Sequence, residues 1–312
     1  MFTTNSLFLT IGAVMITPAV LDKLSQKNKG YIRFSVPKTD GTKRWIHAPH
    51  FIVKEAQRKL LDAMPSPRVE LFGYNVINGC IPGTNLLDNA RPHVNKPVIL
   101  TIDLKDFFGS ITAQDVSRVL TIREVYSSIE NVYPEFKNNL MHAIDLVTNR
   151  SWRLPQGAPT SPMIANWAVI EGDKALAKYC SEHLIDYTRY VDDLTFSVSR
   201  SEITNEEVSD ILHIIKTTFG KKIKPNPRKI KFMRRNKQQR VTGIVVNEKL
   251  SIPRARRKQL RAFMHDAKVN GVKEALGRFS KTPSNIFGEF SYLHLAHEDL
   301  AEQYIKQFKD LL

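Results

Sequence analysis

Cysteine is scarce in this chain: 312 residues contain two, Cys80 and Cys180, far apart in the sequence. Neither a Cys-x-x-Cys pair nor a Cys/His cluster accompanies them, which argues against a disulfide framework or a zinc site and fits a reducing cytosol. Long apolar runs are scarce too. The best candidate, Leu7 to Leu21, is interrupted by Thr10 and Thr17-Pro18, follows no Lys or Arg, and is too short to span a bilayer. Thr17-Pro18 instead reads as an N-cap and first-turn proline opening a helix through Leu24, so two short packed helices are expected here. A cytoplasmic protein with no membrane partner follows. The third deficit is acid. Thirty-one Asp and Glu stand against 46 Lys and Arg, a net charge of +15. Such an excess predicts a polyanionic partner, nucleic acid or an anionic membrane surface. At 42% hydrophobic and 25% charged, the composition is otherwise that of an ordinary globular protein.

Against this shortage of acid, one adjacent pair stands out, in Tyr190-Val191-Asp192-Asp193. Beyond it Leu194, Phe196 and Val198 alternate with Thr195, Ser197 and Ser199, the period of a half-buried strand. The stretch predicts a hairpin with its acids at the tip. Neighbouring carboxylates repel unless a cation lies between them, and hard cations such as Mg²⁺ take oxygen ligands and share a substrate phosphate. A solvated Asp-Asp turn is the bland alternative, and Asp103 outweighs it. Asp103 ends Pro97-Val98-Ile99-Leu100-Thr101-Ile102, a segment fit for a buried central strand. Two strands, each delivering acid at its end, can hold two metals about 3.5–4 Å apart, the clamp for an in-line phosphoryl displacement. A third block, Leu154-Pro155-Gln156-Gly157-Ala158-Pro159-Thr160-Ser161-Pro162, lies between them.

The remaining pattern is mixed. Residues 31–49 read as a hairpin around Asp40-Gly41, with Lys38, Lys43 and Arg44 near the turn and His47 and His50 in structural positions. Helical spacing runs over Phe51–Met64, Met163–Lys178 and Glu202–Phe219. Residues 221–240 hold ten Lys or Arg and no acid, but Ile223, Ile230, Phe232 and Met233 among them argue for strands with basic edges. Val241–Asn247 with Leu250–Ile252 reads as a second hairpin. Three basic helices are expected after Pro253, beside exposed aromatics at Phe279, Phe287, Phe290 and Tyr292.

The three blocks, in this order, resemble the palm of reverse transcriptases. Asn89-Ala90-x-x-His93 is similar to the NAxxH element of bacterial retron reverse transcriptases, and Val241-Thr242-Gly243 to their VTG element. The likeness runs from about Tyr31 to Val246; Val191 stands where that family typically has alanine. It implies an α+β right-hand polymerase: N-terminal helices and fingers over 1–96, a palm of antiparallel sheet plus helices over 97–247 with finger insertions, and a helical, RNA-binding thumb over 248–312. By correspondence Asp103, Asp192 and Asp193, with the Leu104 carbonyl, hold two Mg²⁺ ions. Lys38 and Arg44 close on the triphosphate, Lys as a point charge and Arg as a fork. Phe108 lies under the incoming sugar and Gln156 touches base or sugar. Since adjacent strand residues face opposite ways, one of Phe107 and Phe108 is expected in the core and one in the site. Lys229 is the general acid for the leaving pyrophosphate, ahead of Lys224. Asn89, His93, Arg254, Arg256, Arg257, Lys258 and Arg261 contact RNA.

The resemblance also implies partners: a companion structured non-coding RNA as template, its DNA product in a branched RNA–DNA hybrid (msDNA), and dNTPs. The family serves in phage defence, and with no room for an effector in this chain, any effector would be a separate protein. Two other readings are a reverse transcriptase of the group II intron or diversity-generating kind, and an inert RNA-binding scaffold.

Overall fold

The computed structural model describes residues 9–11, 14–16, 30–37 and 41–312. Strands β1 (Leu9–Ile11) and β2 (Val14–Ile16) pair antiparallel in place of the first expected helix. Threonine, valine and isoleucine favour that extended state. The expected helix through Leu24 lies outside the described residues. Next come β3 (Tyr31–Pro37) and β4 (Lys43–Pro49), a hairpin registered from Tyr31↔Pro49 to Pro37↔Lys43. Helix α1 (Phe51–Ala63) then buries Val53, Ala56, Leu60 and Ala63. After the short strands β5 (Glu70–Leu71) and β6 (Tyr74–Asn75), helix α2 (Leu86–Ala90) is opened by Asn85 and Asp88 in a capping box. A 3₁₀ turn, Arg91–His93, closes it.

Strand β7 (Val98–Lys105) is followed by α3 (Phe107–Ser110), α4 (Ala113–Leu120), α5 (Arg123–Val132) and α6 (Leu140–Val147). The single helix expected over Met163–Lys178 is two, α7 (Ser161–Ala168) and α8 (Ile170–Glu182). Val169, at φ −110° and ψ 8°, steps out of the helical ladder between them. Then come β8 (Asp186–Tyr190), β9 (Asp193–Val198), α9 (Asn205–Thr218), β10 (Lys224–Pro225) and β11 (Lys231–Arg234). The second hairpin is tighter than expected: β12 (Arg240–Val241) pairs β13 (Ile244–Val245) across Thr242-Gly243, and Ser251 only bridges Val245. Four terminal helices, not three, follow: α10 (Arg254–Asn270), α11 (Val272–Arg278), α12 (Pro283–His294) and α13 (Glu298–Leu311). Gly271, at φ +89°, ends α10 and supplies the extra break.

The central sheet orders its strands β10–β7–β9–β8, all antiparallel, with β11 beside β10 on the same edge of β7. Strand alternation sorts its two faces. Val98, Leu100, Ile102, Leu104, Leu194, Phe196, Val198 and Tyr187 point into the main apolar core with α7, α8 and α9. By parity Asp103, Thr101, Asp193, Thr195, Ser197, Thr188 and Tyr190 share the opposite face. A second core joins the four terminal helices to that face through Ile99, Met233 and Ala90. Among the described residues no helix is long and apolar enough to cross a membrane.

Candidate active site

The acidic turn is held from beneath. Arg189, fully buried on the core face of β8, makes a two-pronged pair with Asp173 of α8 at 2.8 and 2.6 Å. Its remaining nitrogen donates to Asn166 at 2.8 Å and to the Val191 carbonyl at 3.0 Å. Tyr187 donates to the same Asp173 at 2.7 Å. Val191 takes φ +59°, a conformation costly for a β-branched residue. Gly79 backs this turn so closely that a Cβ there would lie 2.4 Å from the Val191 nitrogen.

So held, the turn delivers its acids to β7. Asp103 stands directly opposite Asp193 in the β7–β9 register, and the Leu104 N–H donates to the Asp192 carbonyl at 2.9 Å. Burial, then the like charges of Asp192 and Asp103, push Asp193 up to about 6. Burial chiefly raises Asp192 as well, with Asp103 adding to it. Lys229, on the 3₁₀ turn Pro227–Lys229, donates to Asp103 at 2.6 Å, and this bond holds its ammonium above the usual lysine range. Asn226 lies 3.4 Å from the other Asp103 oxygen, and its own N–H donates to the Asp103 carbonyl at 2.7 Å. An all-oxygen set of this kind suits hard divalent cations.

A cleft of about 640 Å³ opens over Asp103 and Asp192. Phe108 and Gln156 line it, and so does Arg44, whose positive charge reaches Asp192. Phe107 is core and Phe108 half-buried at the cleft, although both lie on the helical turn α3 rather than on a strand. Lys229 lines the cleft; Lys224, exposed and paired to Lys105, is not among the lining residues. Lys38 lies outside the described residues. Sequence reasoning missed Arg33, Trp45 and His47, which also line the cleft. The Arg33 guanidinium stacks 4.0 Å over the Trp45 ring. His47, expected to be structural only, is lowered by burial and by Arg33. The signal was available: Lys43, Trp45 and His47 alternate along one strand face, and Arg33 pairs with His47 in register.

The expected RNA contacts divide. Arg254, Lys258 and Arg261 are exposed at i, i+4 and i+7 along α10. Arg257 is half-buried and donates to the Ile252 carbonyl at 3.2 Å. Arg256 is already engaged by Glu289 at 2.6 Å and by the Tyr292 ring at 4.0 Å. Asn89 and His93 reach no solvent, which corrects the expectation that they touch RNA. His93 bridges Ser197 at 2.7 Å and Thr188 at 2.8 Å, tying β9 to β8, and burial drives it down to about 3. The terminal aromatics are also mostly inward. Phe290 is fully buried, and Phe279 and Phe287 pack with Phe263 and Phe308 in the second core.

The fold and the placement of the acids define a palm-like antiparallel sheet with a cluster of carboxylates at one end of its central strands. The chain belongs to the reverse transcriptase (RNA-dependent DNA polymerase) family, whose model matches residues 36–246. Its curated relatives include the retron Mx162 reverse transcriptase of Myxococcus xanthus, 30% identical over 305 residues, covering 90% of this chain and 61% of that one. The retron Mx65 reverse transcriptase of the same organism is 31% identical, covering 91% and 65%. The retron Ec83 reverse transcriptase of Escherichia coli is 28% identical, covering 75% and 74%. The chain thus spans less than two thirds of the length of the two Myxococcus relatives.

Proposed function

We propose that this protein is a retron-type reverse transcriptase, an RNA-directed DNA polymerase that copies part of a companion non-coding RNA into DNA. The observation that carries this reading is the placement of Asp103 opposite Asp193, with Asp192 beside them, at a cleft walled by Phe108, Gln156, Arg44 and Lys229. Asp103, Asp192, Asp193 and the Leu104 carbonyl would hold two Mg²⁺ ions, which when bound polarise phosphoryl oxygens and favour the attacking hydroxyl. Phe108 then bounds the space beneath the incoming sugar, Gln156 orients the nucleotide, and Arg44 with Lys38 meets its triphosphate. Lys229, the cleft lysine nearest the acids, gives its proton to the departing pyrophosphate.

In this reading residues 1–96 form N-terminal segments and fingers, 97–247 the palm with finger insertions, and 248–312 the thumb. Arg254, Lys258 and Arg261 grip RNA phosphates. The product is a branched RNA–DNA hybrid (msDNA) that serves phage defence with a separate effector protein. Two free cysteines suit the cytoplasm as its setting. The test is to purify the protein with its bound nucleic acid and assay dNTP incorporation. Incorporation should need Mg²⁺ and be sensitive to RNase, and Asp192→Ala should abolish it while RNA binding persists. Incorporation that survives Asp192→Ala would overturn the assignment.

A further inference from the structure

A second cleft, of about 670 Å³, lies on the far side of the acids from the first. Tyr190 and Asp193 form one of its walls, Thr242 and Gly243 another, and Lys231 and Arg240 bring positive charge to it. The wall at Thr242-Gly243 is weak by itself. It is the two-residue turn of a hairpin whose strands have two residues each, and both turn residues have positive φ, +48° and +89°. So short a ladder does not fix the position of its own tip.

The terminal helices supply what the ladder lacks. Tyr292, on α12, donates its hydroxyl to the Gly243 carbonyl at 3.1 Å. The fit leaves no slack, since a Cβ on Gly243 would lie 2.9 Å from that hydroxyl oxygen. Tyr292 is in turn held by Arg256 of α10, whose guanidinium sits 4.0 Å over the ring. Glu289, one helical turn before Tyr292, anchors Arg256 at 2.6 Å. Two terminal helices therefore converge on one backbone carbonyl of the palm. The sequence offered Arg256 as a phosphate contact; the structure uses it to aim a tyrosine.

We infer that Tyr292 is a positioning residue, latching the thumb to the Thr242-Gly243 turn so that a nucleic-acid strand lying along the second cleft keeps its end at Asp193. The inference rests on the polymerase reading above. Its chemistry is that of a phosphodiester backbone: basic side chains line the cleft, and the latched turn sets how deep a strand can settle. Loss of the latch lets the turn drift while the acids, held by Arg189, stay in place. Repeated translocation then suffers more than a single addition.

The experiment uses a DNA primer annealed to a heteropolymeric RNA template, with heparin added as a trap at the start of the reaction. Tyr292→Phe removes one oxygen and keeps the ring for Arg256. Product length per encounter should fall about fivefold, the factor for one lost hydrogen bond, while the first addition stays within about twofold of wild type. The melting temperature should fall by no more than about 2–4 °C, the shift that one such bond carries. Arg256→Gln should reproduce the defect, and the double variant should be no worse than either single one. Wild-type product lengths in Tyr292→Phe, or an equal loss in the first addition, would overturn the latch. Failure of the wild-type enzyme to extend any primer would instead overturn the polymerase reading, and the latch with it.

Discussion

Arg189 donates to the carbonyl of Val191 at 3.0 Å, while Asp173 grips the rest of its guanidinium and solvent reaches neither partner. The pair acts less as a source of stability than as a mount for the acidic turn. A buried ion pair broken on one side leaves an uncompensated charge, so Arg189→Ala should cost about 3–5 kcal/mol in denaturant unfolding. The double change Arg189→Met with Asp173→Leu should recover much of that stability. It should not recover polymerisation, because the Val191 carbonyl still lacks its donor. Full activity in the double variant would show that the mount is dispensable.

His93 gives the clearest pH dependence. Its folded value of about 3 lies below the ordinary histidine value near 6.5. Between these values the unfolded chain binds the proton and the folded one does not, so stability falls as pH drops below about 6.5. At pH 5 the loss amounts to about 2 kcal/mol. Unfolding of wild type and His93→Gln at pH 7 and pH 5 checks this, and the variant should lose less on acidification.

Phe108 lines the cleft beside Asp103, and the proposed function puts it beneath the incoming sugar. Phe108→Ala should lower the preference for dNTP over rNTP by at least about tenfold, the scale on which pocket size discriminates. Competing incorporation of the two nucleotide types measures it, and an unchanged ratio would remove Phe108 from sugar selection.

The exposed stripe of α10 should show itself in salt. Replacing Arg254, Lys258 and Arg261 together by glutamine should flatten the slope of log K for RNA against log salt by about 2. Arg256→Gln, whose side chain is spent on Glu289 and Tyr292, should leave the slope near wild type.

How much of this was readable beforehand depended on whether a residue's role followed from local alternation. Asp103 and Asp193 were legible because strand parity sends them to the face that Leu104 and Leu194 avoid. The hairpin carrying Arg44 was legible for another reason, the Asp40-Gly41 turn signal between its two strands. Asn89 and His93 were misread because a short motif does not say which way its side chains turn, and the buried hydroxyls of Thr188 and Ser197 claim His93. Arg189 left a signal that went unused: parity puts it beside Tyr187 on the core side, and a charge there demands a partner. No local pattern announces that Arg256 meets Tyr292, since that contact exists only after two helices fold back on each other.

The second core has an implication for dissection. Val241, Ile244 and Val246 bury themselves with Phe263, Phe290 and Phe308, and Ile99 of the central strand joins the same cluster. Cutting the chain after Asn247 would strip the cover from this surface and leave a greasy wound behind the central sheet. The part before this cut should therefore precipitate when expressed without the last four helices, and the two pieces should regain solubility only when supplied together.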